Sequence, residues 1–391
     1  MLMMWKFGGA VGVATLIMLV CGLPAAATTF GPEPMLFSTS AAIGAGGPGE
    51  IFTPAGPFPD VVNAPGAGGA PVIAINQDLP GGPPSNGLYV PGAGVNVDAF
   101  SRGEDLADTF TPGGHGIAPG QQNGFLFSVD SSAVGAAGSG VAGESTGAGA
   151  AADVFASLIK VTAPGTVTNS KPTLNELVYD ADGSFGLPAI GLTEGVDDLD
   201  ALDVIFGAHP KAQDLSGLKY FSLDAASAVG LGVSGSDILQ SPLAPGPTFG
   251  IFALGTDLGL NINDDIDALI LAENGSTFYE PAATLFDWTD AAEDMMLFSL
   301  APGSPTIGSI DSFGKTIGPG DILVSLDPDG AGGSPGVVSV FVSASDLGLL
   351  ASDNLNALDV VPEPSTYVLA AIGLFALGWT GWRRSRRCGN D

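Results

Sequence analysis

The amino-acid sequence predicts an all-β repeat protein, and two observations carry that prediction. Three short landmarks recur four times in one fixed order along the 391 residues. Each landmark is apolar or alternating and is bounded by Gly, Pro, Ser, Asn or Asp, which is how strands between turns read. Away from the two ends of the chain a helical period is hard to find.

The first landmark is a Phe-Ser element: "MLFSTS" at 35–40, "FLFSVD" at 125–130, "YFSLDA" at 220–225 and "LFSLAP" at 297–302, with the Phe-Ser pairs 90, 94 and 77 residues apart. The second is acid-apolar-apolar: "EIF" (50–52), "DVF" (153–155), "DIL" (237–239) and "DIL" (321–323). An apolar segment follows, and then comes an Asp-Ala element. Its copies are "DDLDALDV" at 197–204, "DDIDALIL" at 264–271 and "DNLNALDV" at 353–360, with a weaker one, "NVDAF", at 96–100. In the last two copies "DLGL" precedes the acidic pair, at 257–260 and 346–349. The repeats therefore run over about 35–100, 125–204, 220–271 and 297–360. Variable Gly/Pro/Ser-rich inserts between landmarks mark loops, which absorb length where strands do not. "DAAEDMMLF" (290–298) reads as the start of a short helix.

Four repeats of three or four short strands predict a four-bladed β-propeller, with tandem β-sandwich modules as the alternative. The phase favours the propeller. The body begins in mid-repeat at Met35 and ends on a lone Asp-Ala element at 353–360. Those two ends complete one blade between them and remove exposed strand edges. The order "LGL…DDIDAL…YFS" is similar to that of hemopexin-type four-bladed propellers, which carry an Asp-Ala-Ala element in each blade.

Length alone allows two or three domains. There are 59 Gly and 30 Pro, but 45% of residues are hydrophobic, enough for a core in a loop-rich fold. Between Thr28 and Val361 stand 6 Lys/Arg against 39 Asp/Glu, so the body repels nucleic-acid phosphates and attracts cations. Cys21 and Cys388 both lie outside that stretch, which excludes disulfide and thiolate chemistry within it.

Residues 1–27 combine Lys6, an apolar run from Phe7 to Leu23 and Ala25-Ala26-Ala27. Together these make a secretory signal peptide cut after Ala27. Cys21 follows Met18-Leu19-Val20, a poor context for lipid attachment. At the other end, Tyr367 to Trp382 is uncharged and reads as a transmembrane helix. It spans about 24 Å at ~1.5 Å per residue, near the lower limit for crossing a bilayer. Trp379 and Trp382 suit the interface, and Arg383, Arg384, Arg386 and Arg387 hold the cytoplasmic side and stop transfer. Pro362-Glu363-Pro364 stays extended before the helix, because its prolines lack donors and restrict the residues preceding them.

The segment 361–387, "VPEPSTYVLAAIGLFALGWTGWRRSRR", resembles the PEP-CTERM sorting signal, also labelled an ice-binding protein C-terminal domain. The resemblance implies an exported bacterial protein whose Pro362-Glu363-Pro364 is read by an exosortase-like membrane protease. It implies passage through the secretion machinery, a transient single-pass anchor, and a final place at the cell surface or in the extracellular matrix.

Chemistry is sparser. Asp198 and Asp200 share one face of their strand, as do Asp265 and Asp267, and clustered carboxylate oxygens suit Ca²⁺. The simpler reading, which the abundance of acids favours, is that they cap turns, solvate strand ends and keep an acidic surface soluble. "DADG" (180–183) and "DPDG" (327–330) resemble fragments of calcium loops without continuing as EF-hands. "GGSPG" (332–336) lacks the helix a nucleophile elbow needs, and "SFGKT" (312–316) has Ser309 where a phosphate loop needs Gly. His115 and His209 are the only histidines, so no multi-histidine metal site or conventional triad is expected. "NGS" at 274–276 fits a glycosylation acceptor, which means little outside a eukaryotic secretory pathway. The expected role is non-enzymatic: structural or binding, associated with exopolysaccharide or calcium, and without nucleic acid. A secreted polysaccharide hydrolase using two carboxylates is the competing class.

Overall fold

A computed structural model describes residues 35–39, 51–53, 72–75, 97–101, 122–131, 133, 139–144, 149–163, 166–169, 175–183, 189–204, 219–241, 249–274, 278–283, 293–327, 335–350 and 352–360. The predicted signal peptide with Ala27, the Pro362-Glu363-Pro364 motif, the helix 367–382, the arginines 383–387 and both histidines lie outside them. Among the described residues no helix is long and apolar enough to cross a membrane.

Among the described residues the fold is all-β, with four antiparallel sheets and only short helices. The first sheet holds β1 (Met35–Thr39), β2 (Ile51–Thr53) and β3 (Val72–Ile75). The second contains β4 (Ala99–Ser101), β5 (Gln122–Ser128), β6 (Val154–Ala163), β7 (Thr166–Asn169) and β8 (Glu176–Tyr179), the last paired with β6. β9 (Leu199–Val204), β10 (Lys219–Leu223), β11 (Ile238–Ser241) and β12 (Gly250–Ala253) make the third. The fourth comprises β13 (Ile266–Ala272), β14 (Met295–Leu300), β15 (Ile322–Leu326) and β16 (Val337–Val342). The remaining strand, β17 (Leu355–Val360), pairs antiparallel with β1, so that Met35 faces Val360 and Phe37 faces Leu358. The two ends of the repeat region thus complete one sheet, in the order β17-β1-β2-β3. "DAAEDMMLF" does not lead into a helix: Met295 begins β14, because its apolar run alternates between two buried faces.

That alternation builds the core. Met296 and Phe298 of β14 pack with Tyr220, Ile238 and Phe252 of the third sheet. The intervening Met295 and Leu297 pack with Phe37 and Leu358 of the first. On β10, Phe221 turns the other way, toward Leu126, Val154 and Tyr179 of the second sheet. A strand covered on both faces has no solvent side, which explains why all six residues of β14 are buried. Each such Leu, Met or Phe contributes about 1.5–3 kcal/mol by burial.

The Asp-Ala strands are the inner strands. β17 packs beside β13, β13 beside β9, β9 beside β4 and β4 beside β17. The serine of every Phe-Ser landmark is fully buried and reaches from its own sheet into the next. Ser38 Oγ donates to Val97 O at 2.9 Å, Ser128 Oγ to Leu199 O at 3.0 Å, Ser222 Oγ to Ile266 O at 2.7 Å and Ser299 Oγ to Leu355 O at 2.6 Å. A buried hydroxyl must find an acceptor, and a carbonyl flanking or opening the neighbouring inner strand supplies it each time.

The "DLGL" glycine has its own reason. Gly259 adopts φ 81°, and a Cβ there would collide with the carbonyl of Gly336, whose N–H donates to Asp257 O at 2.8 Å. Only glycine satisfies both the left-handed conformation and the close approach.

Candidate functional site

The acids meet where the inner strands meet. Asp98, Asp200, Asp267 and Asn356 occupy one position in the four copies, each directly after the residue whose carbonyl accepts the Phe-Ser hydroxyl. Two residues earlier, on the same strand face, stand Asp198, Asp265 and Asn354. Asn354 Nδ2 donates to Asp267 Oδ2 and, at 2.7 Å, to Asn356 Oδ1. Asp98 in turn interacts with the Asn356 side chain. The structure therefore brings Asp198, Asp200, Asp265 and Asp267 into one group, and adds Asp98 and the two asparagines.

Electrostatics follow from that crowding. Burial, then the charges of Asp198, Asp130 and Asp267, hold Asp98 well above the usual carboxylate range. Asp200 is half-buried. Burial raises it too, with Asp267, Asp265, Asp98 and Asp198 adding to the effect. Asp267 is pushed up to about 7 by burial, against the lowering bond from Asn354. Burial with neighbouring acids lifts Asp198 to about 7 and Asp265 to about 6. Oδ1 of Asp198, Oδ1 of Asp265 and Oδ1 of Asn354 are all buried without a hydrogen-bond donor. These three oxygens come from equivalent positions of three copies, although among the described residues no three of the inner-strand acids bring ligand oxygens within 4.8 Å of one another.

Other acids are structural. Asp203 accepts from Ser101 Oγ at 3.0 Å, Val204 N–H at 2.8 Å and Leu271 N–H at 2.8 Å, tying three inner strands together. Asp197 accepts the Thr193 N–H, and Asp264 accepts those of Asn261 and Thr306. At "SFGKT", the Asp311 carboxylate takes the N–H groups of Phe313 and Lys315 that a phosphate would need. Asn274 of "NGS" donates its side-chain N–H to Glu280 Oε2. Asp327 is the described member of "DPDG", and "GGSPG" lies mostly outside the described residues.

Sequence reasoning did not assign the serine bonds or Asp98. The signal for the first was present, since a serine that directly follows a Phe within an apolar strand in all four copies has no solvent role. Asp98 was visible as the acid of "NVDAF", the copy with least sequence around it to align.

No curated protein and no solved structure matches the chain. A family profile, the PEP-CTERM protein-sorting motif, matches residues 360–387, beginning on the last residue of β17. Exosortase, a membrane enzyme, processes such signals, and they direct proteins to the cell envelope or surface. The chain therefore carries a PEP-CTERM sorting signal at 360–387 and is an exported protein sorted by exosortase.

Proposed function

We propose that this is a non-enzymatic surface or matrix protein whose body is a four-bladed β-propeller displayed by exosortase processing. The sorting signal carries the reading, because it abuts the last strand of the fold with no intervening segment. Cyclic packing of β4, β9, β13 and β17, with one serine bond crossing each of four sheet boundaries, favours a propeller over tandem sandwiches. The acids at the centre, Asp98, Asp200 and Asp267 with Asp198 and Asp265, fit a resident cation of the calcium type. Their oxygens are hard donors crowded together, and Asp198 and Asp265 each keep one buried oxygen without a hydrogen-bond donor. Their place between strands makes the cation a rivet for the fold.

The secretion machinery, an exosortase-like protease at Pro362-Glu363-Pro364 and an exopolysaccharide are the partners this reading assigns. The signal peptide ending at Ala27 and the helix 367–382 complete the route as a transient membrane anchor. Cell fractionation with mass measurement tests the sorting. Wild-type protein should lose its tail and reach the surface, while Glu363→Ala should remain full-length in the membrane. Full-length protein with intact Arg383–Arg387 accumulating in the cytoplasm would overturn it. A glycan library screened for both binding and turnover tests the role: binding without turnover is expected, and turnover would establish the hydrolase instead.

A further inference from the structure

A second group of carboxylates stands at the outer part of the second sheet, away from the inner strands. It draws on three segments. β8 ends at Tyr179 and runs into Asp180-Ala181-Asp182-Gly183, the "DADG" stretch. The loop 189–194 folds against it, with Ile190 N–H donating to Asp180 O and Gly191 and Leu192 N–H both donating to Ala181 O. This brings Glu194 beside the two aspartates. The third segment is the turn Gly149–Ala152 with Asp153, just before β6. Glu194 lies over that turn, 3.6 Å from where a Cβ of Gly149 would stand.

One ligand oxygen from each of Asp180, Asp182 and Glu194 lies within 4.8 Å of the others. That equals the widest separation of two oxygens on one ion with bonds of ~2.4 Å. Asp180 is buried, Glu194 is half-buried and Asp182 is exposed, so the group opens to solvent on one side.

The internal repeats show what is unusual here. Asp153, Asp237 and Asp321 are the same position in three copies. In the third sheet Asp237 uses both oxygens, accepting from Gly255 N–H at 2.8 Å and Ser234 N–H at 2.9 Å. In the fourth, Asp321 accepts from Ala344 N–H at 2.7 Å and Gly318 N–H at 2.8 Å. Asp153 keeps only the first of these bonds, from Ala181 N–H at 2.8 Å. Its Oδ2 has no hydrogen-bond partner, although the residue is fully buried. The residues flanking the donor differ in the same copy: Leu254 and Thr256 flank Gly255, Ser343 and Ser345 flank Ala344, and Asp180 and Asp182 flank Ala181. An orphaned buried carboxylate oxygen therefore coincides with acids gained on both sides of its one donor.

We propose that Asp180, Asp182 and Glu194, together with the buried Asp153, form a divalent-cation site for Ca²⁺ distinct from the acids between the inner strands. Hard oxygen ligands from three separate connections, with one open side for water, suit calcium's six to eight ligands better than magnesium's strict octahedron. The charges fit as well. Asp153 is raised to about 8 by burial and by Glu144, Asp180 and Glu194. Glu144 is raised by burial and by Glu194 and Asp180.

The test uses the purified exported protein, stripped with EDTA and desalted, with Ca²⁺ titrated by calorimetry and thermal unfolding followed in parallel. Asp182→Asn changes an exposed side chain, and Asp153→Asn keeps an acceptor for Ala181 N–H while removing a charge. Wild type should bind with Kd of about 10⁻⁴–10⁻³ M, the range of extracellular calcium modules. Each variant should weaken that binding at least tenfold, and neither should lower the melting temperature of the metal-free protein. Asp267→Asn, among the inner strands, should leave this binding event in place. Unchanged calcium binding in both Asp182→Asn and Asp153→Asn would overturn the assignment, and so would no binding below 10 mM in wild type. A response lost in Asp267→Asn but kept in Asp182→Asn would assign all the calcium to the inner strands and refute this site alone. An equal response to Mg²⁺ would refute the choice of ion.

Discussion

Replacing Ser299 by Ala removes the hydroxyl that joins β14 to the first residue of β17. The bond is 2.6 Å long, and Ser299 and Leu355 are fully buried, so no water replaces the lost donor. A net intramolecular hydrogen bond is worth about 0.5–1.5 kcal/mol, and a buried acceptor left without a donor costs about 1–3 kcal/mol. A carbonyl with two lone pairs that also sits in a strand ladder belongs near the low end. The expected loss is therefore about 1–2 kcal/mol, which lowers the melting temperature by about 2–8 °C, taking about 2–4 °C per kcal/mol for a body larger than 150 residues. Ser222→Ala, which removes the equivalent 2.7 Å bond between third and fourth sheets, should cost the same within about 0.5 kcal/mol. Circular dichroism melts of the purified protein measure both, with exposed Ser345→Ala as the surface control expected within about 0.5 kcal/mol of wild type. The comparison tests the cyclic arrangement. If β17 were a loosely added strand, Ser299→Ala would melt like Ser345→Ala while Ser222→Ala alone fell, and the reasoning would fail.

Three further outcomes follow from the same structure. In EDTA, stability should fall as pH rises from about 5 to 8. The folded-state values of Asp267 and Asp198 near 7 lie above the unfolded carboxylate value, so the folded protein holds protons that unfolding releases, and that advantage disappears above pH 7. Urea midpoints across that range check it, and midpoints that climb with pH would contradict it. Asp267→Asn, which still accepts from Asn354, should flatten the slope by about 1 kcal/mol per pH unit, read from the same titration. Gly259→Ala should destabilise by about 3 kcal/mol, since it meets both a left-handed φ and the Gly336 carbonyl; a urea midpoint within error of wild type would contradict the close approach.

Much of the architecture was legible because repetition supplied an internal alignment. One Phe-Ser strand is an unremarkable apolar run; four in register with Asp-Ala elements fix strand order and phase. The pairing of β1 with β17 followed from phase alone, and Phe37 opposite Leu358 realises it. What stayed illegible depends on distance between copies. That Ser38 reaches Val97 and Asp203 reaches Leu271 follows from how sheets stack, and no periodicity within one strand encodes it. "DAAEDMMLF" misled for a related reason: acids before an apolar run read locally as a helix start, while burial on both faces makes Met295–Leu300 a strand. Clustered acids pointed toward Asp200 and Asp267, but their density could not separate ligand-like oxygens from those of Asp197 and Asp264, which backbone N–H groups already occupy.

Pairing of β1 with β17 also sets a timetable. A chain that crosses the membrane N-terminus first delivers β1 early and β17 last, with nearly the whole body between Met35 and Val360. Until then β1 presents an unpaired edge, and contacts of such long sequence separation form slowly. Residue 360, which ends β17, is also the first residue of the sorting motif. Arrival of the strand that finishes the first sheet and arrival of the cleavage signal are therefore one event. A chain that stops short of that point has neither the strand that completes the first sheet nor the sorting motif, so completeness of the fold and possession of the signal are written into one stretch of sequence.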